Sequence, residues 1–143
     1  MRVDTKSMIV LKKIFKDTLN VDITITEDEM SRNDFYFTWK GNEWIGESKV
    51  RRFNKDRYPD TLINKDKYQF LIKNNSMLCI FFYDGLYVCQ DIKKAYKYEK
   101  DVYCKDKTDF AGGKYCWSTK VYLDLSKFKK IEIEDSMLEW IYK

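Results

Sequence analysis

Met8, Leu11, Phe15 and Leu19 recur at the spacing of one helical face, with Ile14 beside them and Lys12, Lys13 and Lys16 opposite. This predicts an amphipathic helix over 5–19, capped by Asp4 or Thr5. Val21 to Thr26 alternates apolar and polar residues strictly, which predicts a strand. Two strand-like runs meet at Gly41-Asn42 and predict a hairpin across 34–51. A mixed-charge loop with the only proline, Pro59, leads to a predicted second helix at 61–73. That helix would carry Leu62, Tyr68, Leu71 and Ile72 on one side, with Thr61 or Asn64 as cap.

Ser76 to Tyr83 is almost continuously apolar, the pattern of an interior strand covered on both faces. Asp84-Gly85 turns it into an antiparallel partner over 86–90. A short helix begins at Ile92, Gly112-Gly113 marks a turn, and 115–125 alternates as a strand. Ser136 to Tyr142 closes the chain as a helix capped by Asp135 or Ser136. The order predicts an α/β fold: a single domain with a central mixed β-sheet flanked by helices, its core at 5–90 and an elaboration at 91–143.

Composition narrows the function classes. The 143 residues are 44% hydrophobic and 35% charged, as in a folded soluble protein. Histidine is absent, and the four cysteines (Cys79, Cys89, Cys104, Cys116) show no C-x-x-C spacing, which disfavours zinc and any imidazole chemistry. No signal peptide opens the chain and no apolar run approaches a membrane span, so an intracellular, cytoplasmic location without membrane contact is expected. Net charge is only +4, but its distribution is uneven. Residues 20–48 carry a net −5 and residues 49–73 a net +5, which suits a metal pocket beside a polyanion groove.

The chemistry concentrates at Asp34 and at Glu47-Ser48-Lys49. Two residues apart on a strand, Glu47 and Lys49 project from one face, and Asp34 on the preceding strand can come back beside Glu47. A buried charge is costly unless it is paired or holds a metal. The pattern therefore reads as a one-metal or two-metal hydrolytic site, with Asp34 and Glu47 as ligands and Lys49 next to the reacting phosphate. The bland alternative is a cross-face salt bridge on a solvated strand.

On these residues and this element order, residues 5–90 resemble the PD-(D/E)xK phosphodiesterase superfamily, which has the restriction-endonuclease-like fold. The stretch from Glu47 to Arg51, and then from Tyr58 to Leu71, looks like small phage-borne nucleases of that type. The resemblance implies an all-oxygen set for Mg²⁺ or Mn²⁺: the two carboxylates, the Ser48 main-chain carbonyl and waters. It also implies a role in the site for Lys67, where relatives often place a Lys or Gln. Two departures stand out. No proline precedes Asp34, and helix 5–19 lacks the glutamate that many relatives aim at the metal, for which Asp4, Asp17 or Glu29 are the available substitutes. A rival match, Pro59-Asp60 with Asp91-Ile92-Lys93, would need a helix and two strands where the family runs directly from strand to strand.

Only five arginines stand against twenty-two lysines, and Arg51, Arg52 and Arg57 follow the E-x-K directly. Arginine grips phosphate with two parallel hydrogen bonds, so these three are candidates for nucleic-acid contact. Trp39 and Trp44 flank the hairpin turn, where they can form a cross-strand pair or a platform for bases. The leading expectation is a metal-dependent endonuclease acting on DNA, structure-specific (Holliday junctions or branched DNA), with a homodimer as one arrangement. The alternative is a non-catalytic module that keeps the fold and binds nucleic acid or protein.

Overall fold

The apolar run at 76–82 takes the centre of the molecule in the computed structural model, which describes residues 1–27, 32–105 and 114–143. Strand β5 (Ser76–Phe82) is buried at all seven positions. It pairs in parallel with β3 (Asn42–Val50) and antiparallel with β6 (Gly85–Cys89). With β1 (Thr24–Ile25), β2 (Phe35–Trp39) and β9 (Lys129–Ile131), these strands form a six-stranded mixed sheet in the order β1-β2-β3-β5-β6-β9.

Period-two alternation divides β5 between two cores. Met77, Cys79 and Phe81 pack with residues of α1 (Val3–Leu19) and α4 (Asp135–Tyr142). Leu78, Ile80 and Phe82 pack on the opposite face. There the cover is α2 (Lys65–Ile72), α3 (Ile92–Ala95) and a second sheet, ordered β4 (Asp60–Asn64), β8 (Tyr115–Asp124), β7 (Tyr96–Lys105). A fully buried Leu, Ile or Phe side chain contributes roughly 1.5–3 kcal/mol, so the double cover of β5 makes it the anchor for its neighbours. The fold is thus α/β, a mixed sheet flanked by helices.

Several sequence expectations shift. The helix predicted at 61–73 is strand β4 followed by α2, and Leu62, assigned to a helical face, is exposed between buried Thr61 and Ile63. Asn64 occupies the N-cap position of α2, without a side-chain cap bond. The hairpin turn is Lys40-Gly41 rather than Gly41-Asn42, because both residues take the positive φ that a tight two-residue turn requires. Only Thr24–Ile25 of the run 21–26 pairs as a strand. Helix α1 starts at Val3 after Arg2, and α4 after Glu134, so neither uses its predicted cap. Trp39 and Trp44 do pack together, with ring centroids 5.9 Å apart. The Gly112-Gly113 turn lies outside the described residues. Among the described residues no helix is long and apolar enough to cross a membrane.

Candidate active site

The ladder between β2 and β3 ends where Phe35 faces Gly46. Asp34, one residue beyond, is fixed three ways. Its N–H donates to Gly46 O at 2.9 Å, and its carbonyl accepts from Thr26 N–H at 2.8 Å. Its Oδ2 accepts from Ser48 N–H at 2.8 Å. Past the last ladder pair, the Ser48 N–H has no strand carbonyl opposite it, and the Asp34 carboxylate takes that place. An orphaned main-chain donor would be costly there, so the arrangement holds the acid in position.

Glu47 is only 6% exposed. Lys49 Nζ lies 3.6 Å from its Oε1, and Lys67 Nζ, from the first turn of α2, lies 3.2 Å from its Oε2. Lys67 also donates to the main-chain carbonyl of Arg32. Burial, and then the charge of Asp34, raise the Glu47 carboxyl above its ordinary value, while Lys67 and Lys49 pull it back. Two carboxylates balance two ammonium groups. Glu47 and Lys49 thus form the ion pair of the bland alternative, but with the acid buried and not solvated.

Asp34, Glu47, Ser48, Lys49 and Arg51 line one open cavity of about 370 Å³, with Asp4 and Ser7 of α1 on its far wall. The two acids expected to share a site therefore do face the same space. Ser48 Oγ is buried without a hydrogen-bond partner among the described residues, and strand alternation turns its side chain to the sheet face opposite Glu47 and Lys49. Arg51 is half-buried, and the loss of solvent lowers its pKa. Its N–H donates to Phe81 O at 2.8 Å and its carbonyl accepts from Tyr142 O–H at 2.8 Å, so β5 and α4 both clamp the end of β3.

The other predicted phosphate contacts diverge. Arg52 is exposed and lines a neighbouring hollow with Asp4 and Val50. Arg57 is exposed in a short 3-10 turn, and its guanidinium rests 5.6 Å from the centre of the Tyr58 ring. It joins neither hollow, because the chain turns away after β3 toward β4. Of the substitutes for a helix glutamate, Asp4 reaches the cavity wall, whereas Asp17 pairs with Lys13 on the exposed face of α1 at 3.8 Å. Glu29 lies outside the described residues. Ser7, whose hydroxyl donates to Asp4 O at 2.7 Å, had no sequence signal, since a serine in an amphipathic helix reads as ordinary.

The donor set fits a hard cation. It offers the carboxylate oxygens of Asp34 and Glu47 and the Ser48 main-chain carbonyl, in a chain without histidine. Among the described residues no group of three acids, cysteines or histidines converges to hold a metal. Two carboxylates with several retained waters is the mode that suits Mg²⁺.

No protein-family model matches the chain, and no curated protein matches it. Among solved structures it is similar to a nuclease from a fusselovirus, at 17% identity and a TM-score of 0.41, over 98% of this chain and 89% of that one.

Proposed function

We propose that the chain is a metal-dependent nuclease that hydrolyses DNA phosphodiester bonds at the Asp34–Glu47–Lys49 centre. The observation that carries this reading is the buried Glu47, set beside a second carboxylate and between two lysines in an open cavity. Burial and the neighbouring Asp34 charge raise the Glu47 carboxyl even though two lysines pair with it. Such a shift is characteristic of functional centres.

Phosphodiester hydrolysis requires an enzyme to remove on the order of 20 kcal/mol from the barrier. Asp34 and Glu47, with the Ser48 carbonyl, would hold Mg²⁺ or Mn²⁺. When bound, that cation would supply Lewis acidity toward a phosphoryl oxygen and a bound water more acidic than bulk water. Lys49, leaving its ion pair with Glu47, would donate to the charge that develops on the phosphate. Lys67 touches Glu47 and the Arg32 carbonyl, so it is a positioning residue that holds the ligand's orientation. Arg51 would meet the incoming backbone from the cavity wall.

The test compares wild type, Glu47→Gln and Lys49→Ala on linear and branched DNA, with Mg²⁺, with Mn²⁺ and with chelator. Metal-dependent cleavage by wild type and none by either variant, with DNA binding retained, is expected. Binding without cleavage under every metal would hand the case to the non-catalytic reading, and equal cleavage by Glu47→Gln would remove that residue from the chemistry.

A further inference from the structure

Strands β7 and β8 form a ribbon that outruns the sheet supporting it. β4 pairs with β8 only from Asp124 back to Lys120, opposite Asn64 at the start of α2, while β7 and β8 stay paired as far as Lys105 opposite Tyr115. The ribbon therefore leaves the body beside the first turn of α2, the turn that carries Lys67. Lys65 Nζ, in that same turn, is 3.0 Å from Glu99 on β7.

The free end carries an aromatic cluster on one face. Tyr103 and Trp117 are directly paired across the strands with centroids 5.4 Å apart, and Tyr115 lies diagonally at 5.8 Å from Tyr103. Their exposures are 57%, 72% and 64%. Along β8, this face becomes the buried one at Val121 and Leu123, so the aromatics continue a core face past the point where the core ends. The sequence around it is mildly basic: residues 100–120 hold five lysines against three acids, and of these acids Asp101 accepts from Thr119 O–H at 2.7 Å.

We propose that this ribbon is a nucleic-acid arm that stacks Tyr103, Tyr115 and Trp117 on unpaired bases while Lys105 and Lys114 meet the backbone. The inference deepens the nuclease reading and rests on it for the choice of ligand. It selects DNA with bases outside a duplex, such as single strands, flaps and branch points. Rings already packed on one another at a tilt lose little freedom on binding, and exposed aromatics interleaved with lysines are the chemistry that unpaired bases and phosphates require. A second copy of the chain fits less well, because the surplus lysines would face their own kind.

The experiment measures binding of the full chain, in chelator, to labelled single-stranded, branched and duplex oligonucleotides by fluorescence anisotropy. Its variants are Tyr103→Ala/Trp117→Ala and the conservative Trp117→Phe. Stacking is worth about 1–3 kcal/mol per base, so the double variant should lose on the order of 10-fold or more for single-stranded and branched DNA. Duplex affinity and melting temperature should change little, and Trp117→Phe should keep most of the affinity. Unchanged affinity in the double variant overturns the inference, as does a dimer-to-monomer shift in sedimentation with DNA binding intact. Selective loss of binding in a chain that never cleaves DNA would leave the arm standing and remove the nuclease reading. Cleavage that survives with unaltered affinity would do the reverse.

Discussion

The Phe35 ring occupies the space that a side chain at Gly46 would need: an added Cβ would lie 2.0 Å from Phe35 Cζ. Phe35 is fully buried in the α1 core, stacked on Phe37 at 6.1 Å and edge-on to Phe15 at 5.7 Å, so it cannot retreat. Its chain neighbour is Asp34, and Gly46 is followed by Glu47. One contact between a ring and a bare backbone thus sets the spacing of both acids.

Gly46→Ala is therefore expected to destabilise the fold by about 1–3 kcal/mol through overpacking. In urea, the midpoint should fall with little change in slope. Cleavage should fall further than the loss of folded protein explains, since the clash is relieved by moving the strand ends that bear the acids. Phe35→Leu/Gly46→Ala should recover part of the midpoint; no recovery would mean that the ring is not the obstacle.

Glu47 predicts a pH signature. The folded chain holds this proton more tightly than the unfolded chain, whose value is near 4.5. The resulting stability is fully present below that pH and is lost as pH rises through the raised folded value. Glu47→Gln, which cannot ionise, should melt above wild type at pH 8 and lose that advantage at pH 4. Mg²⁺ should reverse the order by stabilising wild type at pH 8, by about 2.7 kcal/mol at a hundred times the dissociation constant. The Gln variant should not respond. An equal Mg²⁺ response in both proteins would exclude Glu47 as a ligand.

Lys67 and Glu47 should be energetically coupled. Lys67→Ala strips a partner from a buried carboxylate, so the single variant should lose more stability than the same change made on top of Glu47→Gln. A double-mutant cycle in urea should return a coupling of about 1–3 kcal/mol. Additivity within a few tenths would reduce the 3.2 Å contact to a surface pair of no consequence.

Local patterns in the chain carried the central strand, the hairpin and the E-x-K face, because each depends on a period of two read over a few residues. The stretch Thr61 to Asn64 misled for the same reason: four residues of strand run straight into a helix, and Leu62 fits a helical stripe by chance with Tyr68 and Leu71. What decides is the partner strand at 120–124, distant in sequence. Strand β9, Lys129–Ile131, is too short and polar to signal itself. The approach of Asp4 to the cavity was equally illegible, since it follows from how α1 crosses the sheet.

The arginines after β3 should separate by salt dependence. Arg51 lines the cavity, whereas Arg57 is exposed against Tyr58. Each phosphate contact contributes a slope of roughly 0.9 in the logarithm of affinity against the logarithm of salt. Arg51→Ala should reduce the slope for DNA binding by about one, and Arg57→Ala should leave it unchanged. Reduced slopes for both would extend the DNA track onto the 55–57 turn.

The register of the ribbon has a chemical test of its own. Cys104 faces Cys116 directly across β7 and β8. Opposed residues in an antiparallel pair have Cα atoms about 4.5–5.5 Å apart, within the range that a disulfide spans. Treated with diamide, the folded chain should lose two hydrogens to the oxidant and form one intramolecular Cys104–Cys116 bond, found by peptide mapping without reductant. Cys79 and Cys89 are buried, and burial pushes the Cys89 thiol up to about 11, so both should stay reduced until the chain unfolds. The bridge closes a short loop and should add about 3 kcal/mol against urea. It lies on the ribbon face opposite Tyr103 and Trp117, so it should leave DNA affinity intact. Crosslinks between chains, or capture of Cys79 or Cys89 first, would show that β7 and β8 do not pair in this register.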